Sequence, residues 1–442
     1  MKFLLASTPA TGHLNPILSI GRILIAAGHE VAVLTGDIFR RQVEEAGARF
    51  CSLPPGANFD LRRIETVIPD IARIPQGPER RLAMSRKIFI DVVPLQSAGL
   101  GDVLADFPAD AILVDNTFFG IFPMLLGPRS ARPPIAVCGT MFLHAPRDDG
   151  APTFLGLPPA VNKAELDAYA TMATEQDKQI VRPVLDRLNE LLKEMGCPPL
   201  QSNVHDAAVL LPDLFLQMTV ASFEFPRKNL PPSVVFAGAL PIMPGQAPLP
   251  DWAHELDGSR KVVLVTQGTV SNLNFDQLVI PTLKALAERP DILVVVTAGG
   301  RAAEALPAPL PANARTADYL PFDWLLPKVD VFVTNGGYGS VNQALSHGIP
   351  IVGAGVTEDK GDVNARVAWS GAGINLATSE PTEKMIKDAV LAILGVPIYR
   401  QRAEALAAEF FATDTPALIL EKLEGLASAA QEWPRRSRTA VV

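Results

Sequence analysis

The sequence predicts an α/β protein: two parallel-sheet domains that face each other across a cleft. Three observations carry this reading. Apolar strand patterns and amphipathic helix patterns alternate from the first residues onward. A second alternating set begins near residue 262. Between them, Pro231-Pro232, Pro241, Pro244-Gly245, Pro248 and Pro250 crowd residues 226–258, which reads as a linker.

The elements follow in order. Residues 3–6 form a first strand, and 16–27 a helix with Ile17, Ile20, Leu24 and Ala27 on one face. Gly28 ends that helix before a strand over 31–34. A helix over 38–46, stopped by Gly47, leads to a short extended segment at 50–53. Residues 54–100 are less regular. Strands are expected over 111–114, ending in Asp115, and over 135–137. Residues 140–205 combine a proline-rich loop with a helix over 176–195 that Pro183 should kink, a region suited to shaping a pocket. In the second set, strands are expected at 262–265, 292–296, 331–333 and 351–352. Helices are expected at 276–288 and 383–394, with more helix between 400 and 427. The expected division is therefore 1–225, a linker over 226–258, 259–427, and a frayed tail over 428–442.

Composition narrows the function. An apolar fraction of 48% and a charged fraction of 19% predict well-cored domains and exclude long disorder. A net charge of −8, with no long run of one sign, argues against nucleic acid as the main partner. Cys51, Cys138 and Cys197 are far apart and form no paired motif, so they read as reduced thiols of a cytoplasmic protein. The initial apolar run stops at Ser7, too short for an export signal, and no apolar stretch is expected to span a membrane. The residues leave the oligomeric state open.

The densest chemistry lies between residues 331 and 365. A strand runs into Thr334-Asn335-Gly336-Gly337-Tyr338-Gly339-Ser340, and a helix follows. Gly336, Gly337 and Gly339 let backbone N–H groups approach an anion closely at a helix mouth. Ser340 can add a hydroxyl, and the helix dipole adds partial positive charge. An ordinary glycine turn would fit the same residues. Upstream, Gly268 and Thr269 leave another strand and could supply further phosphate contacts, and backbone at Leu320 could read a base edge. One strand later, Glu358 and Asp359 suit the hydroxyls of a sugar, with Lys360 beside them. Together they suggest a nucleotide-sugar site. The chain has no complete G-x-G-x-x-G and no Walker A sequence, against dinucleotide oxidoreduction and P-loop phosphotransfer.

The first loop, Thr8 to Pro16, puts Gly12 and His13 at a strand–helix junction. A histidine there can act as general base near neutral pH, and Asp115 could orient it. A helix-capping role would suit His13 equally. His144, His205, His254 and His347 show no metal-ligand spacing, so no protein-held metal is expected.

Taken together, these residues resemble the GT-B family 1 inverting glycosyltransferases that use UDP-sugars, of the UDP-glucosyltransferase and macrolide-glycosyltransferase group. Gly12-His13-Leu14-Asn15-Pro16 is similar to the family's N-terminal Gly-His-x-x-Pro. The 334–340 turn, with Gly348-Ile349-Pro350 and Asn364-Ala365, resembles its donor signature. The resemblance covers most of the chain and is strongest at 1–36 and 261–378. It implies two Rossmann-like domains, a UDP-sugar as co-substrate, no cofactor, and direct displacement at the anomeric carbon. His13 would deprotonate an acceptor hydroxyl, Asp115 would hold His13, and the glycine turn would receive the departing diphosphate.

Two departures from the family stand out. Asn335 stands where it usually has a histidine, and Lys360-Gly361 stand where its Asp-Gln sugar pair is expected. Glu358 and Asp359 could take over. The sugar is thus unspecified, with glucose the working expectation. Phe118, Phe119, Met141 and Phe142 are the named candidates for a pocket taking a phenolic, polyketide, macrolide or sterol-like hydroxyl compound. A sugar-nucleotide epimerase of the same architecture, or a non-catalytic nucleotide-sugar binder, would use the same cradle.

Overall fold

The computed structural model describes residues 1–75, 77–242, 248–268, 274–297, 306, 309–317 and 320–438. Seven strands form a first sheet: β1 (Lys2–Ala6), β2 (Glu30–Thr35), β3 (Arg49–Ser52), β4 (Ala111–Asp115), β5 (Ile135–Gly139), β6 (Leu214–Gln217) and β7 (Val234–Phe236). Their order is β3-β2-β1-β4-β5-β6-β7, and every pair is parallel. Six more form a second parallel sheet: β8 (Lys261–Thr266), β9 (Ile292–Thr297), β10 (Ala314–Ala317), β11 (Val331–Thr334), β12 (Ile351–Gly353) and β13 (Gly373–Asn375). They run β10-β9-β8-β11-β12-β13.

The central strands are continuous apolar runs because helices cover both faces. Side chains alternate along β1. Phe3 and Leu5 pack beneath helix Thr11–Ala26 with Leu14, Ile17 and Leu24, while Leu4 and Ala6 join Leu100 and Phe118 on the opposite face.

Four expectations are corrected. The 226–258 segment is not only a linker, since β7 within it pairs with β6 and closes one edge of the first sheet. Its residues 243–247, which include Pro244-Gly245, lie outside the described set. The helix expected over 176–195 is the second part of a longer one: Lys163–Gln176, a wider π turn at Asp177–Val181, then Arg182–Glu194 with Pro183 in its first turn. The wider turn lies just before Pro183, which has no N–H with which to continue an α-helical ladder. The final helix, Thr415–Arg438, passes through the expected tail and returns to the first domain. Ile419, Leu423 and Ala427 lie in the core with Leu14 and Ile17, and Glu424 is bonded to His29 at 2.8 Å. Finally, the helical stretch Pro78–Asp106 is long and apolar enough to cross a membrane by length and composition. In the fold, its Ile90, Val93 and Leu100 are fully buried against the first domain.

Candidate active site

The strand order of each sheet reverses beside a central pair, β1 against β4 in the first and β8 against β11 in the second. In open parallel sheets, ligands bind beyond the carboxyl ends of strands at such points. His13 occupies the first turn of helix Thr11–Ala26, just after β1, and Asp115 is the last residue of β4. Register makes them neighbours, since Ala6 is paired with Val114.

His13 Nδ1 lies 3.0 Å from Asp115 Oδ1. The carboxylate also accepts the Thr8 N–H at 2.7 Å, the Thr117 N–H at 2.8 Å and the Thr117 hydroxyl at 2.6 Å. Beyond β5, the Thr140 hydroxyl lies 3.0 Å from His13 Nδ1 and donates to Asn116 Oδ1. A carboxylate can only accept, so the imidazole proton belongs on Nδ1 and the Nε2 lone pair is left bare. The Asp115 side chain is sealed off, while that of His13 keeps 18% exposure. The pair has the geometry of a base with one open edge. Burial opposes the imidazolium, but the charge of Asp115, its hydrogen bond and the farther charges of Asp359 and Glu358 outweigh it. The His13 pKa therefore lies above its ordinary 6.5. Burial also opposes the Asp115 carboxylate. The His13 charge and the bonds from His13, Thr117 and Thr8 override it, and its pKa lies below the usual carboxylate range.

In the second sheet, β11 leads through Asn335-Gly336-Gly337 into helix Tyr338–Ser346. Gly336 has φ +96°, and a Cβ there would meet Asn364 Oδ1 at 2.4 Å. Only glycine fits. Asn364 is fully buried and donates to the carbonyls of Gly355 at 3.0 Å and Asn335 at 3.3 Å. It ties the glycine turn to the loop after β12. Gly337 precedes the helix as its cap residue, and among the described residues no side chain caps the first-turn N–H groups. Those groups and the helix dipole present a place for an anion. The Ser340 hydroxyl donates back to the Gly337 carbonyl at 3.0 Å. Asn335 Nδ2 donates to the Gln267 carbonyl at 2.6 Å, bracing the loop after β8 against the loop after β11. Asn335 is therefore a strut between two strand ends. After β12, Lys360 pairs with Glu358. Burial raises the Asp359 carboxyl against the attraction of Lys360, and Glu358 adds to the rise.

A family model described as the C-terminal domain of erythromycin biosynthesis protein CIII-like proteins matches residues 282–426. The chain is 38% identical over 427 residues to a 4'-demethylrebeccamycin synthase of Lentzea aerocolonigenes, covering 96% of this chain and 99% of the relative. It is 36% identical to UDP-glycosyltransferase 2 of Phaeomoniella chlamydospora, over 96% of each. Its fold matches the solved glycotransferase of kitacinnamycin with a TM-score of 0.73 at 21% identity, covering 96% of this chain and 99% of that one. The chain belongs to the GT-B family 1 glycosyltransferases.

The glycosyltransferase brings His13 and Asp115 into direct contact, and gathers Gly336, Gly337, Gly339 and Ser340 at one helix mouth. Gly12 is exposed, with open space where a side chain would stand. Gly268 follows β8 with φ +71°. Leu320 is buried in the second domain's core. Thr269 lies outside the described residues. The pocket expectation is corrected for three aromatics. Phe118, Phe119 and Phe142 are each at most 2% exposed and serve as core residues. Phe142 lies under the Arg366 guanidinium, 4.5 Å from ring to carbon, in a core shared with Tyr338 and Val341 of the other domain. Of the four candidates only Met141 keeps a partly exposed side chain.

The sequence reading missed the hydroxyls of Thr8, Thr117 and Thr140. Their signal was available, because each follows the end of a central strand. It also missed the knot that joins the glycosyltransferase's two domains. Glu224 accepts the Arg366 Nε–H at 2.8 Å and the Leu143 N–H at 2.8 Å, with both charged side chains 1% exposed. The Tyr338 hydroxyl lies 3.5 Å from Glu224 and accepts from Gln217 at 2.5 Å. Burial and the Glu224 charge keep that phenol protonated, its pKa well above 10. Among the described residues, no group of three or more His, Cys, Asp and Glu side chains is placed to hold a metal ion.

Proposed function

We propose that this glycosyltransferase moves a sugar, glucose as the working assignment, from a UDP-sugar to a hydroxyl of a small apolar acceptor, with inversion. The observation that carries the reading is the arrangement of two strand-reversal points. One holds a base, His13 on Asp115, and the other an uncapped helix N-terminus behind a glycine turn. His13 Nε2 removes the acceptor's proton while Nδ1–H stays on Asp115. The freed oxygen attacks the anomeric carbon from the face opposite the diphosphate. The negative charge that develops on the leaving UDP meets the free N–H groups at Tyr338–Ser340 and the helix dipole. Glu358 and Asp359 follow β12, the parallel neighbour of β11, so both loops leave the same edge of the sheet, which supports a sugar held beside the glycine turn.

The relative from Phaeomoniella chlamydospora is named a UDP-glycosyltransferase, which supports UDP as the nucleotide. The relative from Lentzea aerocolonigenes is named a 4'-demethylrebeccamycin synthase, which supports a small-molecule acceptor. The test is a mass-spectrometric screen of UDP-, dTDP- and GDP-sugars against small hydroxylated acceptors, run with the wild type and His13→Ala. We expect an acceptor-dependent mass gain with UDP-sugars that disappears in His13→Ala, while UDP binding by calorimetry is kept. Turnover without any acceptor, or unchanged transfer in the variant, overturns this reading.

A further inference from the structure

The donor side of the site is touched by an unexpected element of the other domain. Gly156 lies in the first domain's loop between β5 and β6, yet its N–H donates to Asp362 Oδ2 at 3.1 Å in helix Lys360–Trp369 of the second domain. Asp362 is 2% exposed. Gly156 has φ +65°, and a Cβ there would stand 3.0 Å from the Gly361 carbonyl oxygen. Seen from the other side, a Cβ on Gly361 would meet Gly156 Cα and N at 3.7 Å, and Val356 Cα at 3.7 Å. A Cβ at Gly361 would therefore rest in ordinary van der Waals contact with the Gly156 backbone. Two backbones thus touch across the domain boundary where neither carries a side chain. The loop is held in that position. Phe154 takes φ +64°, costly for a bulky residue, and packs edge-on against Phe142 with ring centroids 5.5 Å apart. Phe142 in turn lies under Arg366, one turn further along the same donor-side helix.

This contact adjoins the reacting centre. Gly361 directly follows the Glu358-Asp359-Lys360 run. A sugar joined to a diphosphate at the glycine turn must lie between that turn and His13. Asn364 of the same helix donates to the Asn335 carbonyl at 3.3 Å and the Gly355 carbonyl at 3.0 Å, so the start of this helix stands against the glycine turn.

We propose that the loop around Gly156 is the first domain's wall of the donor-sugar subsite, and that Gly156 and Gly361 are positioning residues that set where the sugar sits relative to His13. The proposal rests on the donor reading given above. In this chain the wall is backbone from the opposite domain, where a side chain at 361 would otherwise project. Sugar choice is therefore governed by how closely the two domains approach at this point, and not only by the second domain.

The experiment compares wild type, Gly361→Gln, Gly156→Ala and Asp362→Ala. Asp362→Ala removes the loop's anchor without adding bulk, and guards against a misfolded glycine variant. UDP affinity by calorimetry, kcat and KM for UDP-glucose, UDP-galactose and UDP-xylose, and the melting temperature are measured for each. We expect UDP affinity within about twofold of wild type. We expect kcat/KM for UDP-glucose to fall about 10- to 100-fold, as misplacements near one ångström do. The ratio of kcat/KM among the three sugars should change. A purely structural contact would lower the melting temperature and leave that ratio where it was. Variants that bind UDP, remain folded and keep both wild-type kcat/KM and wild-type sugar ratios overturn the proposal. A wild type that transfers none of the three sugars instead counts against the donor reading on which it rests.

Discussion

Replacing Asp115 by asparagine tests the base assignment most sharply. The substitution keeps the shape of the side chain and removes its charge. Two unit charges 3.0 Å apart attract by about 5 kcal/mol at an effective dielectric of about 20. Burial of both groups offsets part of that. At 1.36 kcal/mol per decade, a residual of about 3–5 kcal/mol lost from the imidazolium-like transition state lowers kcat about 10²- to 10⁴-fold. The pH profile carries an independent signature. His13 must be neutral to accept a proton, so wild-type activity falls as pH drops through its raised pKa. In Asp115→Asn the raising influence of the carboxylate is gone and burial still lowers the pKa. The acid limb must therefore move to lower pH even as the plateau drops. The assay is kcat against pH from 5 to 9 at saturating donor and acceptor, with UDP affinity as the control. An acid limb that stays in place, or a kcat within about threefold of wild type, would refute the reasoning that His13 is the base and Asp115 its partner.

Two further outcomes follow from packing. Gly336→Ala brings a Cβ to 2.4 Å from Asn364 Oδ1 at a positive φ; it should cost about 1–3 kcal/mol in denaturant unfolding and weaken UDP binding, and an unperturbed variant would remove the Asn364 clamp from the account. Arg366→Ala removes the 2.8 Å partner of the buried Glu224 carboxylate and leaves it Arg227 at 3.7 Å; it should cost about 2–3 kcal/mol in the same unfolding assay, and a loss below about 1 kcal/mol would mean that the Arg366 bond contributes little.

Much of the fold was legible, and most of the strands that were missed lie at sheet edges. The strands β1, β4, β8, β9 and β11 announce themselves as apolar runs because they are covered on both faces. The overlooked strands β7, β10 and β13 all lie at sheet edges, and the overlooked β6 sits next to one of them. These edge strands are three or four residues long. One is Ala-Arg-Thr-Ala and another Gly-Ile-Asn. An edge strand is half-covered at best, so its sequence carries little of the pattern that marks a central one. The return of helix Thr415–Arg438 to the first domain was invisible for another reason. Ile419, Leu423 and Ala427 make an apolar face that any core would accept.

The sequence by itself determined the local chemistry. It put a histidine after one strand, an aspartate at the end of another, and a glycine turn before a helix, because strand ends and helix starts follow from local periodicity and turn residues. Tertiary structure alone decided which of these meet. Strand register, with Ala6 against Val114, joins His13 to an aspartate 102 residues away. The same packing took Phe118, Phe119 and Phe142 out of the pocket and into cores, because an aromatic run reads alike whether it lines a cavity or fills one. It also brought Gly156 against Gly361 across the domain boundary. A residue with no side chain gives no sequence signal of what its absence makes room for.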